Sequence, residues 1–520
     1  MTTFSKVAKK SALGGIVAVM ALGTTVACSS EKPKDPATSN SPAASGGATS
    51  STAPSKTPVT IAMLVPQYTT EPVKADSPGM QKIREYTGTN IDINWVVGAG
   101  YEEKLYATIA SGSMPQVLVI PDNKNANIVN AARSGMFWEV GPYLKDYPNL
   151  AGLNPQIMSN ISLDGKTYGL PRTRPLSRSG LLFRKDWLDN LGLKVPQTVD
   201  ELYEVLKAFT LNDPDKNGKN DTFGLSDLGS ASVGAVIDYL AIYFGAPLNW
   251  GVQPDGKLIP SFMAPEYLEA MKFNKKLYTE KLVNQDFLIV KEGYIANINQ
   301  GKAGFMLTAV DSVTTAQFAD LKKLNPQAAL DVATGIKGPK GEFVQADPGF
   351  AGLLMFPKSS VKTEQDLKNI LAFFNKMTDK QMIDLTMLGV EGHTYTMENG
   401  APKVNTDLYN KEINPLNQFM VKLGIFGPKP GDTPMETKWK GIVAGNEKKG
   451  VSDPTTPLIS QTNVEKGAQL KKQITDARGK FIMGELDEAG WQQAIETWRK
   501  NGGDQIISEF TAEYAKINKK

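Results

Sequence analysis

The chain has 520 residues, 57 basic against 54 acidic, a formal net charge of +3 and one cysteine. Its charges are interspersed, and no basic stripe or arginine–aromatic cluster marks a nucleic-acid surface, so nucleic acid is excluded as an expected partner. A lone cysteine excludes an internal disulfide framework, and no internal repeat of fixed period is present.

At the N-terminus Lys6, Lys9 and Lys10 precede the apolar run from Ala12 to Leu22. That run is too short for a permanent membrane span, and its basic flank and the small residues after it read as a secretory signal peptide. It ends in Thr25-Val26-Ala27-Cys28, which resembles the lipobox of bacterial lipoproteins, with Thr25 standing where leucine is usual. The resemblance implies acylation of Cys28, and a two-chain lipid would hold the protein at the extracytoplasmic face of the cell membrane. From residue 29 to 57 the chain is Ser, Ala, Thr, Pro and Gly with almost no large apolar side chain. Such a stretch buries too little surface to offset its ordering entropy and is expected to be a tether.

The composition changes at Val59-Thr60-Ile61-Ala62-Met63-Leu64-Val65, a buried-strand pattern, and roughly 460 residues follow, too many for one core. Short apolar runs alternate with amphipathic helical patterns, which predicts α/β lobes. Leu105 and Ile109 place a helix after Tyr101 that Ser111-Gly112 ends, and Val117–Ile120 reads as a buried strand punctuated by Pro121-Asp122. Loops at the carboxyl ends of such strands are where open α/β sheets bind ligands. Thr198–Glu201 has the form of a capping box, with Leu202, Val205, Leu206 and Phe209 on one apolar face. Near the C-terminus Trp491, Ile495 and Trp498 share a helical face and are expected in a core.

Between these elements Asp213-Pro214-Asp215-Lys216-Asn217-Gly218-Lys219-Asn220-Asp221 carries the oxygen spacing of a calcium loop. Asp213, Asp215 and Asn217 stand at positions 1, 3 and 5, Gly218 at the sharp turn, the Lys219 carbonyl at 7 and Asp221 at 9. Gly224 stands where the loop's usual bidentate glutamate would be, so another ligand or water completes the shell. The expected role is a structural Ca2+; a plain solvated turn is the other reading.

Five segments together resemble the extracellular solute-binding proteins of ABC importers. These are Leu105–Val117, similar to a leucine-alanine-serine-glycine segment that closes on proline and aspartate (here Pro115-Gln116); Asp164–Pro171; Leu182–Leu188 with Gly192–Thr198; Gly301–Met306; and the tail from Phe481 to Asp504. The tail is similar to the large branch that binds alginate oligosaccharides and other glycans. The resemblance implies a two-lobed periplasmic-binding-protein-like α/β fold with the ligand cleft between the lobes. Residues 58–175 and about 355–440 would form one lobe, and 176–354 and about 441–520 the other, with crossings near Arg172–Leu182 and Gly349–Phe356. It further implies a monomer that captures a sugar, an oligosaccharide or another polar solute such as a short peptide. The protein would then deliver its cargo to the permease subunits of an ABC transporter.

Candidate ligand contacts are Gln67 and Tyr68 after the first strand, Asp122 after another, and Asp311 at the end of the Phe305–Val310 run. Arg172 and Arg174 flank the expected first crossing; they would clamp an acidic sugar, or equally pair with acids across the lobes. Trp250, Tyr395 and Trp439 are candidate stacking faces, with burial under a loop as the ordinary alternative. The single histidine, His393, is expected to be structural. A lipid-anchored carbohydrate-active enzyme is the competing class, but the chain has no G-x-S-x-G elbow, H-E-x-x-H pair or phosphate loop. A receptor that presents ligand to a membrane sensor is the third reading.

Overall fold

The computed structural model describes residues 59–227, 235–288 and 294–518. The expected signal peptide, Cys28 and the tether lie outside the described residues. No described helix is long and apolar enough to cross a membrane.

Nine strands build two sheets: β1 Val59–Gln67, β2 Thr89–Val97, β3 Val117–Ile120, β4 Gly169–Thr173, β5 Ser179–Arg184, β6 Phe223–Leu225, β7 Ala303–Ala309, β8 Leu330–Ala333 and β9 Phe350–Met355. The first sheet has the order β2-β1-β3-β9-β4. In it β1 runs parallel to β2 and β3, while β9 is antiparallel to both β3 and β4. The second has the order β8-β5-β7-β6, with only the β6–β7 pair parallel. The central strands are continuously apolar because helices cover both of their faces; Val117–Ile120 and Leu181–Phe183 are fully buried.

The helices follow the local chemistry. Helix α1, Gly98–Ser111, buries Tyr101, Leu105 and Ile109 and stops at Gly112, whose φ of 72° is left-handed. Helix α2, Val199–Leu211, is capped by the Thr198 side chain, which accepts from the Glu201 N–H. The Glu201 carboxylate reaches one residue further back than a capping box requires and accepts from the Gln197 N–H at 2.7 Å. Helices α3 Pro434–Asn446, α4 Gln461–Met483 and α5 Glu488–Trp498 form the C-terminal part. Trp491 lies at 0 % exposure, near-parallel to Tyr267 and edge-on to Phe481, and Trp498 packs edge-on against Phe262.

Each sheet has its own core. Ile61, Leu64, Val119, Leu353 and Phe374 belong to the first; Phe183, Trp187, Phe209, Phe305 and Trp491 to the second. A smaller cluster on the second sheet unites Leu182, Met306 and Val332 with Trp439 and Val443 of α3. The expected boundary near 440 therefore falls inside a helix whose buried face packs with the second sheet. Strand β9 pairs within the first sheet, so the chain returns to the first lobe before residue 350, not near 355.

Within the second core, a Cβ on Gly304 would meet the Phe209 ring at 2.0 Å and Trp187 at 2.8 Å. Gly304→Ala should lower stability by about 1–3 kcal/mol through overpacking. A denaturant midpoint equal to wild type would show that this aromatic cluster yields freely.

Candidate functional site

The chain passes between the sheets along extended segments that pair with one another. Residues 174–178 leave β4 for β5, and residues 334–349 return from β8 to β9. The Arg174 N–H donates to the Gly349 carbonyl at 2.7 Å and the Asp347 N–H to the Leu176 carbonyl at 2.6 Å. On one side Val344 and Gln345 pair in parallel with Gly450 and Val451; on the other the Thr173 N–H donates to the Val421 carbonyl. This ribbon is the common floor of both lobes.

A cavity of about 490 Å³ opens against the ribbon. The first lobe supplies Asp122, Lys124 and Asn160, the second lobe Asn249 and Phe510, and the crossing segments Asp347 and Asp453. The Asn249 side chain donates to Asp453 at 3.1 Å, and Thr455 donates to the same carboxylate through its N–H and its hydroxyl. Burial pushes the Asp453 carboxyl above its ordinary value, while the Thr455 and Asn249 donors pull it back. Lys124 donates to the Ser162 carbonyl at 2.6 Å; burial lowers its ammonium to about 8, against the pull of Asp164 and Asp122.

A second feature of the floor is a cluster of charges. Arg178 pairs with Asp311 at 3.2 Å and with Asp347 at 3.7 Å. Arg172 is 6 % exposed and gives its guanidinium to neutral oxygens, the Ala351 carbonyl at 2.6 Å and the Gln418 side chain at 2.7 Å. Arg174 donates to the Thr173 carbonyl at 2.9 Å. Burial first, then the charges of Arg172 and Arg178, push the Arg174 guanidinium down to about 9, against a pull from Asp311.

At the tip of β1, Gln67 is buried and its amide donates to the Thr69 carbonyl, whereas Tyr68 is 72 % exposed. The Tyr68 ring lies across Gly98, where an added Cβ would sit 2.5 Å from it. Below it the Tyr101 hydroxyl donates to the Val119 carbonyl at 2.6 Å and sits 3.0 Å from that of Leu64, fixing the ends of β1 and β3.

The structure thus brings Asp122 to the cavity, and Arg172, Arg174 and Asp311 to the charge cluster. The other aromatic candidates stand elsewhere. Trp250 packs edge-on against Phe510 with centroids 5.0 Å apart, one residue from the cavity wall. Trp439 is 5 % exposed in the small core cluster. Tyr395 lies on a hairpin with Ala401–Val404 and borders neither feature. His393 is paired with Glu412 at 2.8 Å. Residue-by-residue reading missed Arg178, Asp347 and Asp453; the Asp-Pro turns at 347–348 and 453–454 were the available signals.

In the loop after α2, Asp213 accepts from the N–H groups of Asn217 and Gly218 at 3.0 and 2.9 Å. The Asn217 amide donates to Asp215 and Asp221 at 2.9 and 3.2 Å. Among the described residues no three acidic, histidine or cysteine groups converge as a metal cluster. One Asp215 oxygen is nevertheless buried without a hydrogen-bond partner, an acceptor that a hard cation would satisfy. Burial, then a hydrogen bond from the protonated Asp215 to Asp213, holds the Asp215 carboxyl above its ordinary value.

Residues 66–382 match the bacterial extracellular solute-binding protein family. The chain belongs to that family. It is 41 % identical over 440 residues to the polygalacturonan/rhamnogalacturonan-binding protein YtcQ of Bacillus subtilis, covering 83 % of this chain and 86 % of that one. It is 37 % identical over 468 residues to the lipoprotein LipO of the same species, covering 88 % and 92 %. Among solved structures, FusA of Streptococcus pneumoniae in complex with kestose superposes with a TM-score of 0.66 at 20 % identity, covering 88 % of this chain and 99 % of that one. The alginate-binding protein AlgQ2 without calcium superposes at 0.65 and 19 % identity, covering 88 % and 98 %. The fold is the two-lobed one of these binding proteins, and the family binds its solutes rather than transforming them.

Because burial raises the Asp453 carboxyl, its contribution is full below the ordinary carboxylate range and is lost as pH rises through the raised value. Asp453→Asn keeps an acceptor for Thr455, so its thermal midpoint should fall less than that of wild type between about pH 4 and pH 7. Parallel pH profiles would remove Asp453 as the titrating group.

Proposed function

We propose that this protein captures an oligosaccharide between its lobes as a monomer. It hands the sugar to the permease of an ABC importer while a lipid on Cys28 holds it at the extracytoplasmic face of the membrane. The observation that carries this reading is the cavity shared by both lobes, where Asp122, Asn160, Asn249 and Asp453 stand among apolar groups such as Phe350 and Phe510 above the crossing ribbon. Carboxylates and amides of that kind bind hydroxyl-rich solutes, while an exposed ring such as Tyr68 offers an apolar face to a sugar. The polygalacturonan/rhamnogalacturonan named for YtcQ and the kestose bound by FusA support a glycan cargo. LipO, a lipoprotein, supports the anchor.

Calorimetry of the purified chain against a panel of neutral and acidic oligosaccharides tests the reading. Binding without cleavage of the sugar is the expected result, and turnover would assign the chain to the enzymes. Tyr68→Ala should weaken glycan binding by about 1 kcal/mol, roughly fivefold, and leave the melting temperature unchanged. Equal affinities would place the sugar away from the β1 tip.

The loop at Asp213–Asp221 is proposed as a structural calcium site held by Asp213, Asp215, Asn217, Asp221 and the Lys219 carbonyl. An "EF-hand mutant" of FusA among the structural relatives supports the assignment. The ion would supply a fixed positive centre that tethers the end of α2. Calcium at about a hundredfold over its dissociation constant should stabilise the wild type by about 2.7 kcal/mol. Asp215→Asn should lose most of that increment, and an identical calcium response in both would refute the site.

A further inference from the structure

Tyr68 is 72 % exposed at the tip of β1, yet the fold provides a support for its ring. The ring lies across Gly98, and any larger residue there would bring a Cβ within 2.5 Å of it. Tyr68 also borders a pocket of about 480 Å³ whose lining shares no residue with the cavity between the lobes. Thr69, Thr70 and Glu71 line this pocket from the β1 side, and Asp407, Asn410 and Lys411 from the other.

The far wall is built in an unusual way. Tyr409–Ile413 winds as a single π-helical turn. Such a turn inserts one extra residue into the backbone ladder, and it recurs at functional sites. Its two ends are fixed here: the Tyr409 hydroxyl donates to the Thr386 carbonyl at 2.6 Å, and Ile413 is buried in the first core. Asn410 and Lys411, between those anchors, reach the pocket. Lys411 pairs with Glu71 at 3.4 Å. Neither the Asp407 carboxylate nor the Asn410 amide has a hydrogen-bond or ion-pair partner among the described residues.

An aromatic face beside an unused acceptor and an unused amide suits one sugar ring, with its C–H face on the tyrosine and its hydroxyls on the polar pair. The charges decide which kind of ring. Glu71 and Asp407 stand against Lys411 alone, and Glu71 already holds that ammonium, so a uronate would meet the Asp407 carboxylate with no free cation beside it. The pocket also lies on the path of a ligand. The parallel register of β1 and β3 sets Leu64 opposite Leu118, and continued to the strand ends it brings Tyr68 level with Asp122 of the central cavity. A sugar chain that leaves that cavity past Asp122 meets Tyr68 next.

We propose that Tyr68, Asp407 and Asn410 form an outer subsite for a neutral sugar residue, reached only by oligosaccharides that extend beyond the central cavity. The assignment rests on the oligosaccharide reading above and adds a second, distal contact to it.

Titration calorimetry of the full chain with dimers to hexamers of three sugars tests it: β-1,4-galactan, inulin-type fructan and galacturonan. In a neutral series that binds, affinity should rise at least about fivefold from the shortest to the longest member. N410A should bind the dimer as the wild type does and lose most of that rise, with its melting temperature unchanged. D407N should bind the galacturonan hexamer about threefold more tightly than the wild type, because a like charge has been removed. Affinities that do not change with length, or equal losses on dimer and hexamer in N410A, would overturn the subsite while leaving the oligosaccharide reading intact. A D407N that gains nothing on the acidic hexamer would overturn the preference for a neutral residue, as would binding confined to the galacturonans. Binding of no sugar in any series would overturn the oligosaccharide reading and the subsite with it.

Discussion

The hydrogen bonds between the crossing segments are the constraint on which the rest of the molecule depends. Residues 174–178 and 345–349 run side by side, tied by Arg174 to Gly349 and Asp347 to Leu176, with the Ser177 hydroxyl on the Gln345 carbonyl. Backbone groups this close to two cores need partners, because an unpaired buried N–H or carbonyl costs as much as a lost hydrogen bond. The segments satisfy one another, and the chain at 421 and at 450–451 satisfies their outer edges. Both sheets are thereby anchored to one strip of backbone, and side chains that rise from it meet residues from both lobes.

That strip also explains why charge gathers there. The ribbon buries Ile336 and Val344 toward the cores, and its remaining side chains include the charged Arg174, Arg178 and Asp347. Arg178 answers Asp347 of the neighbouring crossing and Asp311 at the end of β7, joining the ribbon to the second lobe. Arg172, at the end of β4 just before the ribbon, answers Ala351 of β9 and Gln418 within the first lobe. The two arginines do the same mechanical work with different partners. The Arg178 partners are carboxylates that neutralise its charge, whereas the buried Arg172 is held by a carbonyl and an amide.

Much of this was legible in the residues, and the rest was hidden for physical reasons. Apolar runs with turn punctuation located β1 and β3, the family resemblance pointed to β7, and helical spacing located α1, α2 and the buried face of α5. An apolar run does not say which sheet it joins, so Phe350–Met355 reads equally as a crossing or a strand until its partners β3 and β4 are known. Trp439 sits among Lys438, Lys440 and Thr437 and looks exposed. Helix α3 turns it inward together with Val443, and the Lys440 ammonium beside it is held at 2.7 Å by Asp432. Trp250 has no helical period because it lies on a short strand, yet Phe510, far along the chain, covers it. Long-range partners of this kind leave no trace in local spacing. Arg172 and Arg174 were legible as a pair, but the acids that would have neutralised them turned out to belong to Arg178.

The separation of the cores determines what the cleft is able to do. Leu353 and Phe374 close one apolar cluster and Phe305 and Trp491 close another, with Ile459 and Val464 of the C-terminal part packed half-buried against the first. The walls left facing each other set Asp122, Asn160, Asn249 and Asp453 among apolar groups such as Leu248, Phe350 and Phe510. Parting the two lobes at this face exposes those apolar groups together with the polar ones, so burial alone does not choose the ligand. A solute that bonds to both walls at once contributes the missing preference, and only a few ribbon residues need change their torsions for the lobes to follow it. Two cores, a cavity of mixed lining and a hydrogen-bonded ribbon are in this sense one arrangement: the polar groups of the walls make closure depend on the ligand, and the ribbon keeps the walls in register while it happens.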